Sequence, residues 1–84
     1  MLPPGIKSVV TLPPTRIRLE YADGQVRVFD MEPLLDRSRF RELRDPAMFA
    51  GAHADIDTVA WANGMDVDPE YLYEDSIPVE PPVS

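Results

Sequence analysis

With 84 residues, no cysteine and a net charge of -7, the chain fits one small domain. That composition excludes disulfides and thiolate metal sites and opposes a grip on the phosphate backbone of a nucleic acid. No apolar run approaches the roughly 18 residues of a membrane span. The opening Met1-Leu2-Pro3-Pro4-Gly5 lacks the charged and apolar regions of a signal peptide, so a cytoplasmic protein is expected.

Residues 1–5 read as a loose lead-in. Ile6 to Leu12 reads as a strand stopped by Pro13-Pro14. Thr15 to Ala22 follows with strict alternation, Ile17, Leu19 and Tyr21 on one face and Arg16, Arg18 and Glu20 on the other. Asp23-Gly24 is the dipeptide of a two-residue type I′ hairpin turn, and Gln25 to Asp30 is the return strand. That turn predicts Ala22 opposite Gln25, Tyr21 opposite Val26, Glu20 opposite Arg27 and Leu19 opposite Val28, so that apolar meets apolar and opposite charges pair.

Past Asp30 the period changes. Met31 to Leu35 predicts a short helical turn with Pro33 near its start. Asp36 or Ser38 is placed to cap a helix burying Phe40 and Leu43, with Arg37, Arg39, Arg41 and Arg44 on its remainder. Asp45-Pro46 is an N-cap followed by proline at the first helical position, a turn that buries Phe49 and ends at Gly51. Ala52 to Ile56 and Thr58 to Ala62 predict two strands joined tightly at Asp57. Asn63-Gly64 is a further turn signal. Asp68-Pro69-Glu70 repeats the cap-then-proline pattern and opens a last short helix carrying Tyr71, Leu72 and Tyr73. The expected fold is α+β, a small mainly antiparallel sheet with an N-terminal hairpin and two or three short helices. The domain is expected over residues 6–75, and residues 76–84 read as a proline-rich tail, extended or disordered.

Charge is divided unevenly along this plan. All eight Lys and Arg lie between Lys7 and Arg44, among six acids, and after Arg44 come nine acids and no base. The C-terminal half suits a basic protein partner, beside the plainer reading of a solvated, solubilising surface. Trp61, Tyr71 and Tyr73 are residue types that anchor interfaces. In so small a core, however, Trp61 and at least one tyrosine are expected inside, leaving the other exposed. Together with Asn63, Asp66 and Asp68 they form the candidate interface. The Arg37–Arg44 cluster reads as a solvated helix face or as ion pairs with the acidic half.

The reactive residue types are sparse. His53, the one histidine, lies two residues from Asp55, the arrangement of a base oriented by a carboxylate, but no nucleophile stands at a recognisable motif. Asp55, Asp57, Asp66, Asp68 and Glu70 are hard oxygen ligands without the spacing of an EF-hand loop, and Asp68 is better explained as a helix cap. No catalytic, cofactor or metal residue is therefore assigned.

The segments Tyr21-Ala-Asp-Gly-Gln-Val-Arg-Val-Phe-Asp30, Pro33-Leu34-Leu35, Phe40, Leu43-Arg-Asp-Pro46, Phe49 and Thr58-Val-Ala-Trp-Ala-Asn-Gly-Met-Asp-Val-Asp-Pro-Glu-Tyr-Leu-Tyr-Glu74 resemble domain-of-unknown-function family 2442. This is a family of small bacterial domains. The likeness runs from about Val9 to Glu74, with a departure at Ala62, where the family more often has proline. It implies an α+β domain with a mainly antiparallel sheet and no established reaction. It also implies relatives encoded beside another small protein in toxin–antitoxin-like arrangements, some with a helix-turn-helix domain following. Here a proline-rich stretch follows instead, so no nucleic-acid binding is expected of this domain alone. The leading expectation is a non-catalytic protein-interaction module, antitoxin-like, whose partner is a small basic protein encoded nearby. The alternative is a small-molecule or ion-sensing regulatory domain, and an enzyme comes third.

Overall fold

Alternation, turn chemistry and capping residues place ten short elements among the described residues. The computed structural model describes residues 3–79. Strands β1 (Ile6–Leu12), β2 (Arg16–Tyr21) and β3 (Val26–Asp30) lead into helix α1 (Glu32–Leu35), a 3₁₀ helix (Ser38–Arg44) and helix α2 (Pro46–Phe49). Strands β4 (His53–Asp55) and β5 (Thr58–Ala60), helix α3 (Pro69–Asp75) and strand β6 (Ile77–Pro78) complete the chain. The main sheet is antiparallel in the order β1-β2-β3-β6, and β4 and β5 pair separately. The fold is α+β, as expected, and no helix among the described residues is long and apolar enough to cross a membrane.

The hairpin forms, but its register is one residue away from the expected one. Leu19 lies opposite Arg27, Glu20 opposite Val26 and Ile17 opposite Phe29. The loop has three residues, Ala22-Asp23-Gly24, closed by the Tyr21 N–H donating to the Gln25 carbonyl at 2.8 Å and the Gly24 N–H to the Tyr21 carbonyl at 2.9 Å. Gly24 takes a φ of 94°, and the Asp23 carboxylate accepts the Gln25 N–H at 3.1 Å, so Asp-Gly serves a three-residue loop as readily as a two-residue one. Burial decides between them. The observed register turns Phe29 inward, where it is 2% exposed beside Ile17 at 0%. Only Val26 and Val28, both half-buried, then face outward with Arg18 and Glu20. Burying a phenyl ring outweighs covering two valines incompletely. The slip also turns Arg27 and Gln25 toward the core side.

Against the inner face, the helices and the β4–β5 pair form a second layer. Ile17, Leu19, Tyr21 and Phe29 meet Met31 just before α1, Leu34 and Leu35 from α1, and Phe40 and Leu43 from the 3₁₀ helix. Phe49, Val59, Trp61, Val67 and Leu72 complete this core. Phe40 and Leu43, three apart, eclipse on one face of a helix with three residues per turn. Neither Asp36 nor Ser38 caps that helix. Its N-terminal residue is preceded by Arg37 with no side-chain cap, and Asp36 instead accepts from Arg44 at 2.6 Å. The Asp45 cap forms as expected, accepting the Ala47 N–H at 3.0 Å.

Strands β4 and β5 are shorter than expected, and β5 is buried along its whole length. Their connection puts Ile56 in the left-handed region at φ 56°, an uncommon state for a β-branched residue. The same turn aims the Ile56 carbonyl at the Ile6 N–H, 2.7 Å away, stitching the second hairpin to β1. At the other edge Ile77 and Pro78 pair with Val28 and Arg27. The sheet thus runs past the domain end expected at residue 75. Residues 80–84 of the expected tail, and Met1 and Leu2 of the lead-in, lie outside the described residues.

Tyr21 is 1% exposed, and its hydroxyl has no hydrogen-bond partner among the described residues. Burial pushes its pKa from 10.0 up to about 12. The unfolded chain therefore releases this proton first. The contribution is whole below pH 10 and is lost as pH rises to about 12, by up to about 2–3 kcal/mol. Tyr21→Phe is expected to remove that alkaline loss while leaving neutral-pH stability within about 1 kcal/mol, because no protein hydrogen bond is broken. Urea unfolding of both proteins across this pH range checks it.

Candidate functional site

The candidate interface gathers around α3 and the loop before it. Asp68 fixes the start of α3, its carboxylate accepting the Glu70 and Tyr71 N–H groups at 2.9 and 3.3 Å. Asn63-Gly64 makes the expected turn, with Gly64 at φ 87°. The Asn63 side chain accepts the Met65 N–H at 3.0 Å and donates to Glu42 at 2.7 Å, tying the turn to the 3₁₀ helix. The Val67 N–H donates to the Val59 carbonyl, and the Thr58 hydroxyl donates to the Val67 carbonyl. Asp66 is thereby held on a pinned backbone, with its own side chain exposed.

Trp61 does not reach the surface. It is 2% exposed, packs at 6.4 Å on Phe49, and donates its indole N–H to the Phe49 carbonyl at 3.0 Å. It supports the loop from beneath. Tyr71 and Tyr73 differ from expectation, since both pack inward and both are half-buried. Helix α3 lies across two strands, so residues two apart meet different rings: Tyr71 is edge-on to Phe29 at 5.7 Å and Tyr73 edge-on to Tyr21 at 5.2 Å. Burial raises the Tyr71 pKa.

Two grooves flank this assembly and share no residue. The first, of about 440 Å³, is floored by Leu34, Phe40 and Val67. Arg37 and Arg39 line it together with Asp66, Asp68 and Tyr71. Of the two readings of the arginine cluster, a solvated face or ion pairs with the acidic half, no ion pair with the acidic half forms among the described residues. Among the described residues, Arg44 pairs with Asp36 and Glu32, Lys7 pairs with Glu20, and Arg37 and Arg39 pair with no carboxylate within 4.0 Å. The second groove, of about 400 Å³, lies between the hairpin loop and α3. Asp23, Glu70 and Glu74 line it with Pro3, Pro4, Gln25 and Tyr73, and no basic residue lines it among the described residues. The Gln25 side chain and backbone N–H hold the Asp23 carboxyl below the usual range, so it is ionised at neutral pH.

Arg27 is the structural residue that sequence reasoning paired wrongly. Its guanidinium lies 4.5 Å from the centroid of the Tyr73 ring and donates to the Ser76 hydroxyl at 2.5 Å and the Ser76 carbonyl at 2.8 Å. Gln25 donates to the Tyr73 hydroxyl at 2.8 Å. No local signal marks Arg27, because its role follows from the register. For Arg37 and Arg39 a signal existed: four arginines between residues 37 and 44 have only Asp36, Glu42 and Asp45 beside them in sequence, and Asp45 caps α2.

His53 stands on exposed β4 with Nδ1 3.2 Å from the Gly51 carbonyl, and no His, Asp or Glu trio converges on a metal-sized site among the described residues. The family model described as "Protein of unknown function (DUF2442)" matches residues 6–78, most of the chain. No curated protein and no solved structure matches it.

Proposed function

The chain belongs to the DUF2442 family, and we propose that it is a non-catalytic interaction module, antitoxin-like, that docks a small basic protein against the acidic groove of α3. One observation carries this reading. Asp23, Glu70 and Glu74 rim a groove whose lining includes proline and tyrosine and, among the described residues, no lysine or arginine, while Arg27 behind it is engaged by the Tyr73 ring, Gln25 and Ser76. Three carboxylates around apolar and aromatic surface attract Lys or Arg side chains, whose aliphatic stems cover the apolar part while the charged ends reach the rim. The nine acids after Arg44 add a field of the same sign, which speeds encounter with a cation and repels nucleic acid.

The partner is expected to be the small protein encoded beside the gene. The ¹⁵N-labelled domain is titrated with that purified product at low salt. Shifts confined to Asp23, Gln25, Glu70, Tyr73 and Glu74, weakened at least tenfold by Glu70→Lys with Glu74→Lys and by added salt, support the reading. Absence of a complex at low salt, or a complex indifferent to both substitutions, overturns it.

A further inference from the structure

The first groove points to a different ligand and uses different residues, so it stands apart from the basic partner. Its two charged walls come from separate stretches of chain. Arg37 precedes the 3₁₀ helix and Arg39 lies in its first turn, while Asp66 lies on the loop before α3. No Arg37 or Arg39 nitrogen comes within 4.0 Å of an acidic oxygen among the described residues, so opposite charges line one groove without pairing to each other. Arg39 is kept in place by stacking 5.2 Å from the centroid of the Phe40 ring. The floor between the walls is apolar and already packed, with Phe40 5%, Leu34 4% and Val67 1% exposed.

Ligands of a single sign fit this arrangement poorly. A phosphate or simple carboxylate gains the two guanidinium groups but meets Asp66 and Asp68. A cation gains Asp66 and meets both arginines. A molecule carrying both signs at one end and an apolar group at the other satisfies both walls and the floor together. We propose that this groove binds a small zwitterion of the α-amino acid class, its carboxylate held by Arg37 and Arg39, its ammonium by Asp66, and an apolar side chain on Leu34, Phe40 and Val67. A guanidinium fork matches a carboxylate in two-point geometry. Asp68 caps α3 through Oδ1 alone, so Asp66 is the primary partner of the ammonium and the second Asp68 oxygen adds charge of the same sign beside it. The groove's volume of about 440 Å³ lies within the range of small-molecule sites.

The test uses the full chain and defined probes. Calorimetry and ¹⁵N chemical-shift mapping are run with L-leucine and L-leucyl-L-leucine, then with N-acetyl-L-leucine, L-leucinamide and inorganic phosphate. The expected result is saturable binding of at least one zwitterion, with shifts at Arg37, Arg39, Val67 and Tyr71. Blocking either charged end of the ligand is expected to weaken binding at least tenfold. Arg37→Ala with Arg39→Ala, and separately Asp66→Asn, are expected to do the same while circular dichroism stays unchanged. Glu70→Lys with Glu74→Lys, in the other groove, is expected to leave it intact, so failure here and failure of the basic-partner reading are separately visible. Absence of binding by either zwitterion at millimolar concentration overturns the proposal. So does phosphate or N-acetyl-L-leucine binding as tightly as the zwitterion, or L-leucinamide doing so.

Discussion

Trp61→Ala is expected to lower the melting temperature by about 15–30 °C, more than any other single substitution in the domain. The side chain is 2% exposed and is the largest of the fully buried residues. Deleting a buried tryptophan costs about 3–5 kcal/mol through lost transfer energy and the cavity left behind. In a domain of this size each kcal/mol moves the midpoint by roughly 4–8 °C. The indole N–H also donates to the Phe49 carbonyl at 3.0 Å, so alanine removes the shorter of the two hydrogen bonds that carbonyl accepts and leaves it only the Ala52 N–H at 3.2 Å. Trp61→Phe separates the two contributions, because it keeps a ring in the cavity and removes only the donor. It is expected to cost about 1–2 kcal/mol. Thermal melts by circular dichroism measure both, since the chain has no other tryptophan to report fluorescence. A loss below about 1 kcal/mol for alanine would mean that the layer collapses into the cavity, contrary to the packing of Phe49 on the indole.

What the sequence made legible was what neighbouring residues decide between themselves. The alternation of β2 and the Asp-Pro caps of α2 and α3 depend on contacts within a few residues, and each appears where the pattern put it. The hairpin register does not. Asp23-Gly24 is compatible with loops of two or three residues, and the choice is made by Phe29, whose burial depends on a core assembled from the rest of the chain. From that single residue of slip follow the inward turn of Arg27, the outward faces of Val26 and Val28, and the Gln25 bond to Tyr73. The two tyrosines were misread for a related reason. Helical spacing says that positions two apart diverge, but α3 spans two strands, and each tyrosine finds a ring of its own. The charge division was visible in the sequence. That Arg37 and Arg39 share a groove with Asp66 was not, because stretches this far apart in sequence meet only in the assembled core.

Arg27→Ala is expected to release the C-terminal end of the domain while leaving the hairpin intact. Strand β6 pairs with β3 at only two positions, Arg27 with Pro78 and Val28 with Ile77, extended by the Val79 N–H donating to the Val26 carbonyl at 2.8 Å. Pairing this short does not hold by itself. The guanidinium provides the rest through its two bonds to Ser76, a third to the Gln25 side chain at 3.1 Å, and its contact with the Tyr73 ring. Charged hydrogen bonds contribute about 1.5–3 kcal/mol and a partly buried cation–π contact about 0.5–2 kcal/mol. These overlap rather than add, so a loss of about 2–4 kcal/mol is expected. The loss is local, because the Ile17 and Leu19 pairings with β1 and β3 involve none of these atoms. Amide exchange at Ser76 and Val79 therefore accelerates at least tenfold, while exchange in β2 changes far less. Arg27→Lys does not restore protection, since one ammonium cannot bond both Ser76 oxygens while lying flat on Tyr73. Full rescue by lysine would show that charge alone suffices. Uniform acceleration across the domain would show that the C-terminal strand unfolds only together with the core.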